Sequence, residues 1–253
     1  DPIVVKMAEV CPGSVIFFAR DSHERVLANH LAQGKQGVFI EGDVIVAMNG
    51  KKRHSFPMRD IPITLNGTIM FQIENAMAAI AAAWALGLPW EQIQNGLATF
   101  VSDVSTVPGR FNMFSYRGAT LIADYGHNPD AIKLLAQAVE SIPANRRVVV
   151  ISGAGDRRDE DLSQQTEILG EVFDEVILYE DDCQRGRSDG EVLMLLRKGL
   201  QNASRTTHIE EIRGEFIAID TALSHLKSGD LCLILIDRID ESLAYIAKRI
   251  SES

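Results

Sequence analysis

Apolar and polar positions along the 253-residue chain follow two textures, and the change comes near residue 108. Beyond it, short apolar runs alternate with stretches whose apolar residues recur every three to four positions. The runs 112–116, 120–124, 147–152, 175–179 and 231–237 predict strands. The periodic stretches 131–141, 161–173, 189–200, 215–226 and 239–249 predict the helices between them. Such alternation predicts a largely parallel sheet covered by helices on both faces.

The first hundred residues read as β-rich, then helical. The opening residues are strand-like, 14–19 is a strand, and 38–40 and 44–48 form an antiparallel pair around Glu41-Gly42-Asp43. Asn49-Gly50 turns the chain into a return strand over 51–56, and 57–62 is loop. A small-residue run from Asn75 to Leu86 predicts a closely packed helix that Gly87 stops, and 90–100 predicts a second. Residues 101–108 are a polar connector. The expected fold class is therefore α/β in two parts, 1–107 and 108–253, the second mostly parallel and Rossmann-like.

Composition narrows the function classes. With 46% hydrophobic residues the chain can bury a sizeable core, and a formal charge of −10 argues against a nucleic-acid surface. Cys11, Cys183 and Cys232 have no CxxC spacing, so neither a disulfide framework nor a zinc knuckle is expected. Cys232 falls in an apolar run and is expected in a buried strand. No run approaches the ~20 apolar residues of a membrane span. The opening Asp-Pro offers no basic-then-apolar leader, and a chain without an initiator Met reads as a piece of a longer one. The cytoplasm is the expected compartment.

Candidate chemistry gathers at strand ends. Asp124-Tyr125-Gly126-His127-Asn128-Pro129-Asp130 joins a strand to a helix, the place where open α/β sheets bind ligands. A carboxylate there can accept ribose hydroxyls and an imidazole can donate to phosphate; equally, Asp124 can cap the helix while His127 packs in the turn. Pro108-Gly109-Arg110-Phe111 brings a guanidinium, the natural bidentate partner of phosphate. Asn75, at the mouth of the small-residue helix, is either a cap or a ligand contact. Ser152-Gly153-Ala154-Gly155-Asp156-Arg157-Arg158 is a Gly-rich turn after a strand, and Arg158 occupies the place of the third glycine of a dinucleotide fingerprint. Asp181-Asp182-Cys183-Gln184-Arg185-Gly186-Arg187 sets carboxylates beside guanidiniums, a mixture that can hold both a guanidinium and a carboxylate. His23, His30, His54, His208 and His225 lack ligand spacing, and no metal site is expected within the chain.

The strand, Asp-x-Gly-His-Asn-Pro and helix following Pro-Gly-Arg-Phe resemble the Mur ligase family, the ATP-dependent amide-forming ligases of cell-wall precursors and folate polyglutamates. The resemblance implies that 1–107 is the end of a central ATPase domain and 108–253 the C-terminal domain. It implies that Asp124 holds the ribose of ATP, Arg110 and His127 attend the phosphates, and Asn75 looks towards the adenine. Gln72 and Phe71 stand where the family has Asn and His. By the same likeness Asp156 and Arg157 lie near the reacting centre, and Asp182 and Arg185 belong to the loop that recognises the incoming amino acid.

Together the motifs are most similar to the branch that attaches L-arginine to aspartate β-carboxyls of a polyaspartate backbone. That branch phosphorylates the carboxylate to an acyl phosphate, which the amine then attacks. It implies Mg²⁺ held mainly by residues upstream, a C-terminal domain that closes onto the site, and a homo-oligomeric parent enzyme. No Gly-x-x-x-x-Gly-Lys-Ser/Thr P-loop occurs in the chain, so no turnover is expected from it alone. Alternatives are another ligase of the family, such as a folylpolyglutamate synthetase, or a non-catalytic nucleotide-binding or assembly module. An NAD oxidoreductase is disfavoured by the missing third glycine.

Overall fold

A computed structural model describes residues 2–181 and 185–252. Two units emerge, Asp1–Val101 and Ser102–Ser253. Residues 102–107, expected as connector, belong with the second unit: the Ser102 hydroxyl donates to the Arg110 carbonyl, and the Asn112 side chain donates to the Val107 carbonyl.

The first unit is a four-stranded sheet of order β1-β2-β3-β4, formed by Phe17–Asp21, Gln36–Glu41, Val44–Asn49 and Lys52–Pro57. β1 runs parallel to β2, and the others form antiparallel hairpins. Successive side chains leave opposite faces of a strand. Val38, Ile45 and Ala47 accordingly join the core beneath α3 (Met70–Ala85) and α4 (Trp90–Thr99). Phe39 and Val46 instead pack with Leu27 of α2 (Arg25–Ala32).

Three local expectations change in this unit. The opening residues form helix α1 (Pro2–Val10), which buries none of its residues. Helix α2 was not legible in the polar stretch 21–34. Helix α3 starts five residues before Asn75, because Gln72 and Ile73 extend the buried stripe of Ala76, Met77, Ile80 and Ala81 by a turn.

The second unit is a six-stranded sheet of order β5-β6-β10-β7-β8-β9. These are Asn112–Tyr116, Ala119–Asp124, Leu231–Leu235, Arg147–Ile151, Glu175–Glu180 and His208–Arg213. β5 pairs antiparallel to β6, and every other pairing is parallel. The helices are α5 (Pro129–Ser141), α6 (Asp159–Gly170), α7 (Glu191–Gly199), α8 (Glu215–His225) and α9 (Ile239–Ser251). Strands β7, β8 and β10 are buried at every position, including Cys232, as strands covered on both faces must be. β9 was missed in the sequence: as an edge strand reading His-Ile-Glu-Glu-Ile-Arg, it carries too few apolar residues to register.

Among the described residues, no helix is long and apolar enough to cross a membrane.

Candidate functional site

The carboxyl ends of β6, β10, β7 and β8 lie side by side in the sheet, and charged residues follow each of them. The turn 107–112 is folded against the end of β6. Gly109 donates to Asn112 Oδ1 at 2.7 Å, and Tyr125 N donates to the Gly109 carbonyl at 2.9 Å. Phe111 adopts φ of 51°, a left-handed conformation that costs a non-glycine residue about 1–2 kcal/mol. Its amide donates to Asp124 Oδ2 at 2.8 Å, which offsets that strain.

Asp124 therefore holds the Arg110 turn in place. It is 8% exposed, and burial pushes its carboxyl up to about 6, against the Phe111 amide and the charges of Arg110 and His127. One of its oxygens is committed, and the other lies under Gly126, where a Cβ would come within 3.1 Å of it. Arg110 is exposed beside it, donating to the Tyr125 carbonyl at 3.3 Å with its guanidinium 5.7 Å from the Tyr125 ring centre.

His127 packs against Tyr125 with the rings tilted by 35° and 4.1 Å between their centres, and its Nε2 lies 3.4 Å from Asp237 Oδ1. Its Nδ1 is buried without a hydrogen-bond partner. The same Asp237 oxygen accepts from Arg185 Nη2 at 3.1 Å, and Arg185 Nη1 lies 3.6 Å from Asp156 Oδ1. Facing His127, with Arg185 and Arg238 nearby, holds the Asp237 carboxyl below its ordinary value. Arg110, Tyr125, His127, Asp156, Arg185 and Asp237 thus form one contiguous cluster.

Asp237 was not singled out in the sequence, and neither was its support. Glu215, fully buried at the start of α8, accepts from the Asp237 amide at 3.0 Å and from the Ser242 hydroxyl at 2.5 Å. Arg238 bridges Glu215 to Asp181, with Nη2 2.9 Å from Asp181 Oδ2. An acidic residue opening a helix has no sequence signature that marks it as the anchor of a turn 22 residues on. Arg187, expected in a ligand loop, instead pins the Gly-rich turn: it donates to the carbonyls of Gly155 and Arg157, each at 2.7 Å.

Arg157 is exposed on that turn, its carbonyl held by Arg187. Asn75 belongs to the first unit, exposed within α3, donating to Gln72 Oε1 at 3.1 Å; the helix begins directly after Ile69, without a side-chain cap. Asp182 lies outside the described residues.

The cluster fits a phosphorylated ligand through its cations. Two guanidiniums flank Tyr125, and the unpartnered His127 Nδ1 is a polar atom that a ligand can satisfy. The N-terminus of α5 fits an anion less well, since Asn128 caps it at the Ala131 amide and Asp130 sits in the first turn.

Residues 109–235 match the Mur ligase, glutamate ligase domain. The chain belongs to the Mur ligase family. Cyanophycin synthetase of Crocosphaera subtropica is 32% identical over 98% of this chain and 29% of its own length, and that of Synechocystis sp. is 32% identical over 98% and 28%. The chain thus spans less than a third of these relatives. A 2,6-diaminopimelate-adding ligase of Alkaliphilus metalliredigens is 31% identical over 70% of this chain and 35% of its own. Among solved structures, E. coli FolC in complex with DHPP and ADP superposes with a TM-score of 0.65 at 20% identity, covering 98% of this chain and 56% of that one. As in other Mur ligase family folds, the mostly parallel sheet of the second unit is Rossmann-like.

Proposed function

We propose that the chain is part of an ATP-dependent amide ligase of the cyanophycin synthetase kind, which joins L-arginine to aspartate β-carboxyls of a polyaspartate (cyanophycin) chain. The observation that carries this reading is the single cluster at the strand ends. There Arg110 and His127 suit phosphate, while Asp156 and Asp237, bridged by Arg185, suit a cationic amino acid with its own carboxylate. The 32% identity to cyanophycin synthetases across 98% of the chain supports the choice of substrate class.

In this reading the first unit is the end of a central ATPase domain and the second unit its C-terminal partner domain. Arg110 neutralises charge as the β-carboxylate is phosphorylated, and the arginine α-amine displaces phosphate from the resulting acyl phosphate. Rate comes chiefly from positioning and charge neutralisation. Mg²⁺ bound with ATP would neutralise phosphate charge, held mainly by residues upstream of these. The chain contains no P-loop sequence, so we place turnover in a longer protein that supplies one.

The test is ADP release by the parent enzyme given ATP, polyaspartate and one amino acid at a time. Release with arginine, and not with lysine, diaminopimelate or glutamate, is expected. Release with diaminopimelate or glutamate instead would move the chain to another branch of the family.

A further inference from the structure

At the amino ends of the second unit's strands, the first residues of β8 and β9 meet the last residue of α8. Glu175 and His208 are register partners there, and His208 and Glu210, two apart on β9, share a face. His225 ends α8 beside them. One ligand atom from each of Glu175, Glu210 and His225 lies within 4.8 Å of the others.

The order of contacts has a definite chemistry. His225 Nδ1 is 2.6 Å from Glu175 Oε1, a carboxylate only 3% exposed, whose second oxygen accepts from Arg146 Nη1 at 2.9 Å. Arg146 Nη2 also donates to the His225 carbonyl at 2.7 Å, so ring and backbone are both fixed. With Nδ1–H given to Glu175, the lone pair of neutral His225 is on Nε2. That atom lies 3.9 Å from Glu210 Oε1, and the same oxygen is 2.7 Å from His208 Nε2. The two distances bracket the ~3.3 Å between neighbouring ligand atoms of a tetrahedral zinc ion. The His208 and His225 rings are edge-on at 6.4 Å between centres, and the His208 side chain is 55% exposed.

We propose that His225 Nε2, Glu210 and His208 bind a divalent transition ion of the zinc class. Glu175 stands behind His225 as the carboxylate that sets its tautomer, an arrangement typical of metal-bound histidine. Two imidazoles and one carboxylate select zinc, cobalt or nickel over Mg²⁺, which prefers oxygen donors. The ion would tie the edge strand β9 to the end of α8, at the amino ends of the strands, whereas the cluster lies at their carboxyl ends.

The probe is Zn²⁺ added to the metal-stripped chain and followed by calorimetry, with Co²⁺ as a spectroscopic substitute. Expected are one ion per chain with an affinity tighter than about 10 μM, a rise in melting temperature, and Co²⁺ absorption bands of a four-coordinate site. His208→Ala should weaken binding at least about ten-fold, and Glu210→Gln and His225→Ala should abolish it, while His23→Ala in the first unit leaves it unchanged. His208→Ala and Glu210→Gln alter solvent-accessible side chains, so they decide the matter even if His225→Ala disturbs the fold. Absence of stoichiometric binding, or binding that survives both of those substitutions, would overturn the proposal.

Discussion

His127 Nε2 lies 3.4 Å from Asp237 Oδ1, and through this pair the residues following β6 are joined to those following β10. The same oxygen takes Arg185 Nη2 at 3.1 Å. One carboxylate oxygen thus orients both an imidazole suited to phosphate and a guanidinium on the loop after β8. Asp237→Ala should release both while Glu215 keeps the turn folded through the backbone amides. Loss of a charged hydrogen bond of this kind is worth about 1.5–3 kcal/mol. In the parent enzyme the amino-acid KM should rise roughly ten-fold or more, with a smaller change in the KM for ATP. Steady-state kinetics with either substrate varied would decide it, and unchanged constants would remove Asp237 from the site.

Asp124 gives a pH signature. Its carboxyl is pushed from 3.8 up to about 6, chiefly by burial. The folded state therefore holds the proton more tightly than the unfolded one. Stability is greatest below the unfolded value, falls as pH rises through the window from 3.8 to about 6, and is level above it. A shift of about two units corresponds to roughly 3 kcal/mol. Asp124→Asn keeps an oxygen for the Phe111 amide and removes the buried charge. Calorimetric melts should show the variant more stable than the parent near pH 8, the gap closing towards pH 4. A variant destabilised near pH 8 but not near pH 4 would mean that the charge itself is needed to hold the turn.

These two residues also mark how far the sequence could be read. Asp124 was legible because it ends an apolar run and starts a recognisable string, and the second unit's parallel sheet followed from strand–helix alternation. Asp237 sits at an equally placed strand end, yet its surroundings, Ile-Asp-Arg-Ile-Asp, offer no motif, and only the return of β10 between β6 and β7 brings it to His127. The meeting of His208 with His225 was hidden for the same reason. Residues 17 positions apart on different elements leave no spacing to read. Arg187 was visible but misplaced, since a charged loop residue looks the same in sequence whether it faces ligand or clamps a neighbouring turn.

That clamp is testable apart from catalysis. The Arg187 side chain, 15% exposed, donates to the carbonyls of Gly155 and Arg157 and pairs with Asp159 at 2.8 Å and Glu191 at 2.7 Å. Arg187→Ala should cost about 2 kcal/mol and speed amide hydrogen exchange over residues 154–159. Arg187→Lys should recover little, because one ammonium cannot span acceptors on both sides of a planar fork. Exchange unchanged in Arg187→Ala would show that the Gly-rich turn holds itself.

The packing of α6 against α7 leads to the sharpest contrast. A Cβ built on Gly199 would overlap the Ser163 carbonyl oxygen and the Thr166 hydroxyl, and would stand 3.0 Å from the Glu167 amide. Those groups are already engaged, since Thr166 Oγ1 donates to the Leu196 carbonyl at 2.6 Å and lies 3.1 Å from the Ser163 carbonyl oxygen. Gly199→Ala must therefore separate two helices held by backbone contacts rather than displace a flexible side-chain tip. Overpacking of this kind costs about 1–3 kcal/mol or more. Gly96, in the exposed interior of α4, has nothing within 4 Å of the same position. There alanine removes only the conformational freedom of glycine, and Gly96→Ala should stabilise the first unit by up to about 1 kcal/mol. Urea unfolding of both variants beside the parent chain measures the two shifts. Equal effects would mean that the α6–α7 contact yields more readily than its backbone geometry implies.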